Sequence, residues 1–445
     1  MTPKYVKPPT LWSSPLRFAL VGFGALTGMD TFSEFPYLLT RYGGGRFVAI
    51  YIAFLLLIAW PLLAAQLKLG RHGRDGGTRP WLHGSRAWRW TWIAALAGGF
   101  LMFCYVALIS GWMLAYAHAA LVGNFRHASL ERVAGEFAHL ARHPLTALLW
   151  DGLFIAAVSV IVGAGPAAIE DLARFVVPGL AALFAGLVAY AATFGSFFVS
   201  APVLLGWQPA AGQASTSLVA LSQVFFGAGL GTAAWVAYGA YLPSSVAIGR
   251  TTLILVLAQA VAAWLAGFAL ASLAFAAGLS PLAGGGFLFE TLPLVSARLP
   301  WGPIAVALCY LGLVSAAWLS TVAWLEPFAQ FLRVARVRAA LGLGLAAWVV
   351  GAVLTLSLNS WAFSFTFLGR VKTLGLLDIL MILAVNVLLP WGGGGLSLLM
   401  GWDRAGVTGE SGYRGRAQRV WLWALRIVVP SAVVIVFFGA PRLIL

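Results

Sequence analysis

Long apolar runs, each about as long as a membrane-crossing helix, recur from one end of this chain to the other. A helix needs about 20 apolar residues to cross the hydrocarbon core, and a segment in lipid must satisfy its own backbone hydrogen bonds. Of the 445 residues, 61% are hydrophobic and 9% are charged, whereas soluble domains carry about 25% charged residues. The sequence therefore predicts an all-α polytopic membrane protein.

Eleven spans follow when the apolar runs are divided at the polar segments between them. We predict them at about 16–40, 46–69, 91–121, 144–164, 172–195, 217–242, 250–277, 301–333, 337–359, 374–401 and 420–441. If the N-terminus is cytoplasmic, the inner segments hold 18 basic residues and the outer segments hold 9. Because basic residues concentrate in cytoplasmic loops, we expect a plasma (inner) membrane protein with a cytoplasmic N-terminus and an external C-terminus.

This topology also explains the net charge of +15, which in a soluble protein would suggest a nucleic-acid partner. The longest predicted external loop, about 122–143, contains RHASLERVAGEFAHLARH. Glu136, His139 and His143 recur there at helical spacing, and the pattern favours an amphipathic surface helix over a metal site. The motifs HExxH, GxxxxGK[ST] and GxSxG do not occur. We therefore expect no enzyme, no organic cofactor and no nucleic-acid partner.

Glycines interrupt two predicted spans, the first at GALTG (Gly24–Gly28) and the sixth at FFGAGLGTA (Phe225–Ala233). Glycine costs a helix about 1 kcal/mol relative to alanine. A GxxxG packing pair would explain one such span, but the two breaks lie five spans apart, as in inverted-repeat transporters. Since unwound backbone at membrane depth lines a cavity or is buried in protein, we expect a solute or ion site at the breaks.

Several stretches resemble the neurotransmitter:sodium symporter family, and together they cover nearly the whole chain. They are FALVGFGALTGMDTFSEFPYLLTRYGGG, CYVALISGWMLAY, SQVFFGAGLGTAAWVAYGAYLP, FETLPLVSARLP, LEPFAQFL and LLDILMILAVNVLLPWGGG. The resemblance implies a divergent bacterial-type member with a leucine-transporter-like five-plus-five inverted repeat. Its core is 16–401, in which 16–195 matches 217–401. Residues 1–15 form a cytoplasmic tail, and 402–445 form a cytoplasmic loop and the eleventh span.

The family's two sodium sites are altered in this sequence. The positions that match the first site are Leu26, Thr31, Gly227 and Gln259, and those that match the second are Gly24, Thr27, Ala316, Leu319 and Ser320. Hard cations need several oxygen ligands at fixed distance. The first site loses a hydroxyl at Gly227 and looks dismantled. The second loses a hydroxyl at Leu319, keeps one at Ser320, and is only weakened.

The resemblance also implies a solute site between spans 1, 3, 6 and 8. Its matching positions are Ala25, Leu26, Gly28, Asp30, Val106, Phe226, Gly227, Gly229 and Ser320. Val106 replaces a tyrosine that helps to hold a substrate carboxylate, and Asp30 replaces a glycine whose N–H meets it. Phe226 matches the aromatic lid over the solute. At the outer gate Glu34 replaces an arginine, while the aspartate partner remains as Asp378.

Asp30, Glu34 and Asp378 are expected to converge in the outer half of the solute pathway. A charged residue at mid-membrane costs about 2.5–3.5 kcal/mol on insertion scales. Three neighbouring carboxylates therefore need a cation among them, or one of them must hold a proton. The cation could be a bound solute or a local base; the candidate bases are Arg41, Arg370 and Lys372.

The resemblance implies a secondary-active transporter of a small organic solute, an amine or an amino-acid-like molecule, working by alternating access. The loss of carboxylate-binding features favours a cationic or neutral solute over a simple α-amino acid. Coupling could use sodium at the second site or protons at the acids, or be absent. A membrane sensor or scaffold with the same fold is the alternative. The sequence leaves solute identity, stoichiometry, direction and oligomeric state open.

Overall fold

The structure, a computed structural model, describes residues 11–74, 85–126, 128–194, 196–207, 216–281, 286–332, 334–358, 361–367, 370–402 and 416–439. Within these residues, nine helices are long and apolar enough to cross a membrane. They are span 2 (Gly45–Arg74), span 3 (Arg86–Leu121), span 4 (Pro144–Ala164), span 5 (Pro166–Phe194), span 7 (Ile248–Ala276), span 8 (Gly302–Phe331), span 9 (Arg336–Ser357), span 10 (Leu376–Trp402) and span 11 (Gln418–Gly439).

Two further spans are broken. Span 1 consists of Pro15–Leu26 and Met29–Arg41, and span 6 consists of Thr216–Gly227 and Ala234–Ala240. The described residues thus contain eleven spans, and the predicted all-α fold class with breaks in spans 1 and 6 is confirmed.

Short elements connect the spans. They are the helices Leu130–Arg142, Phe197–Leu205 and Leu292–Arg298, a π-helical turn at Phe287–Thr291, and an antiparallel hairpin of β1 (Ala362–Phe367) and β2 (Arg370–Gly375). The first of these begins where the hydroxyl of Ser129 accepts a hydrogen bond from the N–H of Arg132. It is the amphipathic helix expected between spans 3 and 4.

Several helices extend beyond the predicted bounds because hydropathy marks only the part of a helix that lies in lipid. Span 2 continues to Arg74, and span 3 begins at Arg86, both in polar sequence. Span 5 begins at Pro166, directly after Gly165, whose φ of +102° ends span 4. Spans 4 and 5 are therefore connected by a single residue.

The packing partners of the spans follow the predicted repeat. Span 3 packs mainly on span 8, and span 4 mainly on span 9, so each pairs with its counterpart five spans away. The second half of span 1 packs on span 7, and the second half of span 6 packs on span 2. Exchanging the two repeats replaces span 1 by span 6 and span 7 by span 2, so it turns the first of these contacts into the second. An inverted repeat requires this correspondence.

Span 11 lies outside the two repeats and packs on spans 2 and 10. The indole N–H of Trp421 donates a hydrogen bond to the carbonyl of Pro61 at 3.1 Å. The ammonium group of Lys68 lies 4.1 Å from the centre of the same indole, a cation–π geometry. Trp421 therefore fastens the last span to the middle of span 2.

Candidate solute and ion sites

The break in span 1 consists of Thr27 and Gly28, between helices that end at Leu26 and begin at Met29. The hydroxyl of Thr27 donates to the carbonyl of Phe23 at 2.6 Å. The first N–H groups of the second helix have no partner within that helix. They point a positive dipole end toward the break. Such an end can bind an anion or stabilise a nearby acid.

The candidate solute residues of span 1 lie at this break. Ala25 is 5% exposed, Leu26 is 1% exposed, and Gly28 precedes the second helix. Asp30 is the second residue of that helix, but its side chain lies outside what the structure describes. Its role in the solute site remains a prediction.

The break in span 6 runs from Ala228 to Ala233 and depends on two glycines with positive φ, +56° at Gly229 and +92° at Gly231. L-residues other than glycine rarely adopt these angles. A Cβ at Gly231 would also overlap the carbonyl oxygen of Leu389 in span 10. The broken segment is therefore held directly against span 10.

Other candidate solute residues are buried near the two breaks. Phe226 and Gly227 end the first helix of span 6, and Phe226 is 8% exposed. Val106 of span 3 is 2% exposed. Its neighbour Tyr105 instead lines the cavity described below, so the two side chains face different surroundings.

At the first candidate sodium position, the side chain of Gln259 forms a hydrogen bond with Tyr51 of span 2. Its amide Nε2 donates to the hydroxyl of Tyr51 at 2.9 Å, and both residues are buried. Thr31 is fully buried, and its hydroxyl has no hydrogen-bond partner among the described residues. Gly227 supplies no side-chain oxygen. The position therefore offers few free ligands for a cation.

At the second candidate position, the side chain of Leu319 packs onto Gly24. Its Cδ1 lies 2.5 Å from where a Cβ of Gly24 would stand. The hydroxyl of Ser320 is buried and donates to the carbonyl of Ala317 at 3.1 Å, as serine hydroxyls in membrane helices often do. The oxygens of Thr27 and Ser320 keep lone pairs, and the carbonyls of Gly24 and Ala316 are close in sequence to them. The donor set is smaller than a hard cation ordinarily uses, and a cation at this position remains a prediction.

 An apolar groove of about 800 Å³ lies between spans 1, 5 and 7. A separate cavity of about 500 Å³ is lined by both Glu34 and Asp378. We call it the acid-lined cavity, and its lining residues are Glu34, Tyr105, Ile109, Trp112, Ala134, Phe137, Gly286, Phe289, Glu290, Leu377, Asp378 and Met381. Glu290, in the π-helical turn before span 8, is a third acid that the sequence reasoning missed.

The three acids differ in their surroundings. Glu34 is partly buried, whereas Glu290 and Asp378 are exposed. A carboxylate oxygen of Asp378 accepts a hydrogen bond from the backbone N–H of Gly375 at 2.9 Å and so caps the start of span 10. Of the local bases proposed from the sequence, Arg41 is exposed at the end of span 1. The side chains of Arg370 and Lys372 lie outside what the structure describes.

On the side of the molecule that carries the N-terminus, hydrogen bonds and an ion pair join the N-terminal segment to several spans, and we call this set of contacts the N-terminal closure. The backbone N–H of Trp12 donates to the carbonyl of Tyr241 at 2.9 Å, and its indole N–H donates to the carbonyl of Tyr238 at 3.1 Å. The N–H and hydroxyl of Ser13 donate to the two carboxylate oxygens of Glu170, at 2.6 and 2.7 Å. These contacts join the N-terminal segment to spans 5 and 6.

A buried acid completes the N-terminal closure. Glu326 of span 8 is fully buried, accepts a hydrogen bond from the hydroxyl of Tyr241 at 2.6 Å, and forms an ion pair with Arg336 of span 9. Arg336 also donates to the carbonyl of Val162 at 2.6 Å. The network therefore ties spans 4, 6, 8 and 9 together on one side, while the acid-lined cavity lies on the other.

Comparisons with known proteins agree with this architecture. The family model described as "Sodium:neurotransmitter symporter family" matches residues 10–133. An uncharacterized sodium-dependent transporter of Bacillus subtilis, YhdH, is 28% identical over 450 residues, which cover 97% of each chain. Another uncharacterized sodium-dependent transporter, from Haemophilus influenzae, is 26% identical over 328 residues, 70% of each chain.

The crystal structure of MhsT in complex with L-phenylalanine is also similar. It has a TM-score of 0.82 and 28% sequence identity, and the match covers 97% of this chain and 99% of that one. Eleven spans with matching breaks define a polytopic membrane transporter. The chain is similar to the sodium:neurotransmitter symporter family over residues 10–133, and to a sodium-dependent transporter over nearly its whole length.

Proposed function

We propose that this protein is a secondary-active transporter that carries a small organic amine across the membrane by alternating access. The observation that carries the proposal is the acid-lined cavity, where three carboxyl groups and four aromatic rings line one space. Carboxylates attract cations over a distance, and aromatic faces attract them at contact. This lining suits an ammonium group better than a carboxylate.

The acid-lined cavity would be the entrance on the external side, as the distribution of basic residues indicates. The N-terminal closure then seals the cytoplasmic side. To release a solute inward, the protein must separate Trp12 from Tyr241 and Ser13 from Glu170. Transport would therefore alternate between the contacts described here and a state in which the N-terminal closure is open.

Deeper in the pathway, the solute would lie at the two breaks, against Ala25, Gly28, Phe226 and Gly229. Asp30 would supply negative charge there. Because Val106 stands where the family has a tyrosine, the site would lack a hydroxyl that could hold a carboxylate. Glu34 and Asp378 would form the gate above the solute, either sharing a proton or admitting cations.

Sodium would bind at the second position, between Gly24 and Thr27 of span 1 and Ala316 and Ser320 of span 8. The engagement of Gln259 by Tyr51 argues against the first position. A single sodium site beside the break in span 1 would couple ion binding to the angle between the two halves of that span.

A zwitterionic amino acid is the second candidate solute, and the similarity to MhsT, which was solved with L-phenylalanine, favours it. The N–H groups at the start of Met29–Arg41 could hold its carboxylate. Asp30 would then be a structural acid that stabilises the helix end rather than a partner of the solute.

A thermal-shift screen of the purified protein against amines and amino acids, with and without sodium, tests these proposals. A ligand that binds only the folded state stabilises it by about 2.7 kcal/mol at a concentration 100 times its Kd. We expect amines to raise the midpoint more than amino acids, and sodium to increase the shift. Larger shifts with amino acids would select the second candidate.

Uptake into proteoliposomes separates a transporter from a sensor. The expected result is accumulation of the selected ligand, driven by an inward sodium gradient and absent without the protein. Binding without any uptake, including exchange or equilibration of labelled ligand across the membrane, would instead support the sensor.

A further inference from the structure

Span 4 contains one charged residue, Asp151, in the apolar segment LLWDGLF. Its side chain is 1% exposed. Both carboxyl oxygens are buried and have no hydrogen-bond partner among the residues that the structure describes. Buried charges in proteins are ordinarily paired or hydrogen-bonded, so this carboxyl group requires an explanation.

Two glycines on neighbouring spans make room for Asp151. A Cβ at Gly351 of span 9 would lie 2.5 Å from its Oδ2, and a Cβ at Gly111 of span 3 would lie 2.7 Å from its backbone. Spans 3, 4 and 9 therefore meet closely around this one carboxyl group. Ser110 directly precedes Gly111, and Thr355 lies one helical turn after Gly351. Both have buried hydroxyls without a hydrogen-bond partner among the described residues.

The titratable and charged groups around Asp151 offer it no positive partner at close range. On span 3, Cys104 is a buried free thiol, and the ring of His118 lies 5.9 Å from that of Trp150, tilted by 40°. His143 caps the start of span 4, two turns away. The remaining charged groups of spans 5, 8 and 9 lie at the opposite ends of those spans, in and near the N-terminal closure; they are Glu170, Asp171, Arg174, Glu326, Arg336 and Arg338.

We infer that Asp151 is a proton-binding site at the junction of spans 3, 4 and 9, separate from the solute pathway. A neutral carboxyl group fits the dry, glycine-lined space that a charged one would not. Loss of the proton would leave an unpaired charge there, draw in water and push span 9 away from span 4. The proton thus holds the three spans together.

The site adjoins the wall of the acid-lined cavity. Gly111, against which Asp151 packs, directly precedes Trp112, whose side chain lines that cavity. A shift of span 3 on loss of the proton would move Trp112. Proton binding at Asp151 would therefore make both stability and cavity shape sensitive to pH, without any contact between the proton and the solute.

Infrared spectroscopy of the purified protein tests the protonation directly. With carboxyl-labelled ¹³C-aspartate, the unmodified protein should show at neutral pH an isotope-shifted carbonyl band of a protonated aspartic acid. Asp151→Asn should remove this band. Asp171→Asn, which changes an exposed carboxylate to an amide, should leave it. No such band in the unmodified protein, or its persistence in Asp151→Asn, would overturn the proposal, and the first outcome needs no variant to fold.

Thermal unfolding across pH provides the second measurement. If the folded protein keeps a proton that the unfolded chain releases, its stability falls as pH rises. The contribution of Asp151 should therefore decline from about pH 4, where an aspartate of the unfolded chain loses its proton, up to the pH at which the folded protein loses it. Asp151→Asn, which mimics the neutral acid, should flatten that decline. An unchanged decline in Asp151→Asn, with Asp171→Asn as the reference, would contradict the inference.

Discussion

Leu319 and Ser320 are adjacent residues with opposite effects on the second candidate sodium position. Leu319 packs apolar atoms onto Gly24, while Ser320 keeps a buried oxygen there. We expect Ser320→Ala to reduce the stabilisation by sodium in a thermal-shift titration. Leu319→Thr should tighten sodium binding by about tenfold, since a ligand oxygen worth about 1.4 kcal/mol gives that factor.

Gln259→Ala is the matched control, because the Gln259 amide already bonds Tyr51 rather than facing free space. Its sodium titration should match that of the unmodified protein, although overall stability should fall. Sodium stabilisation lost in Gln259→Ala and kept in Ser320→Ala would move the ion to the first position.

In the proposed amine site, Asp30 would set the preference for a cationic solute. Two unit charges about 4 Å apart interact by about 4 kcal/mol at an effective dielectric near 20. Asp30→Asn should therefore abolish binding of a cationic solute and spare a neutral one, as measured by thermal shift or equilibrium binding. Cation binding that survives in Asp30→Asn would leave Asp30 as a cap on the broken helix.

Sequence patterns and the family resemblance identified several individual residues but could not give their partners. Glu34 and Asp378 were expected near each other, and both line the acid-lined cavity. Glu290 was missed because its approach depends on how the π-helical turn folds over the span ends. The contact of Gln259 with Tyr51 joins residues 208 positions apart, and no local pattern indicates such a pair. A lone acid in LLWDGLF was a usable signal for Asp151.

Among the elements, the break in span 6 is the one most dependent on a specific residue. Gly231 combines a φ of +92° with contact to Leu389. Gly231→Ala should cost about 3 kcal/mol or more, from backbone strain and steric overlap, and lower the thermal midpoint. Gly342→Ala, in the interior of span 9 with nothing within 4 Å of its Cβ position, should be neutral or stabilising. Equal effects of the two changes would mean that the break is not held against span 10.

The N-terminal closure should open more readily when one hydroxyl is removed. Tyr241→Phe takes a hydrogen-bond donor from the buried Glu326, a loss of about 1–3 kcal/mol. Spin-label distances between spans 5 and 6 on that side should shift toward longer values. Tyr190→Phe, which removes a hydroxyl bonded to the carbonyl of Pro300 on the other side, is the control and should leave the distances unchanged.

Hydropathy located the spans as elements because burial in lipid imposes a length and a composition on each. It did not locate their ends, since Arg74 and Arg86 lie in polar continuations of spans 2 and 3. The glycine patterns indicated both breaks. In span 6 other residues adopt the angles at Gly229 and Gly231 only with strain, whereas Gly28 at the break in span 1 has an ordinary φ of −75°.

For the whole molecule, the predicted orientation can be tested with single cysteines. The two native cysteines, Cys104 and Cys309, are buried, so background labelling should be low. In intact cells, a cysteine placed in the 75–84 segment should be shielded from an impermeant reagent, and one placed after Arg442 should react. The reverse pattern would invert the orientation, and shielding at both sites would contradict an external C-terminus.

The contact of Trp421 with Pro61 has a consequence for biogenesis. The two residues are 360 positions apart in the chain, and ribosomes add about 5–20 residues per second. After Pro61 has been synthesised, roughly 20–70 s therefore pass before Trp421, which contacts Lys68, is synthesised. During that interval the surface of span 2 must be shielded by lipid, by the insertion machinery or by a chaperone, and a chain truncated before span 11 would expose it to quality-control proteases.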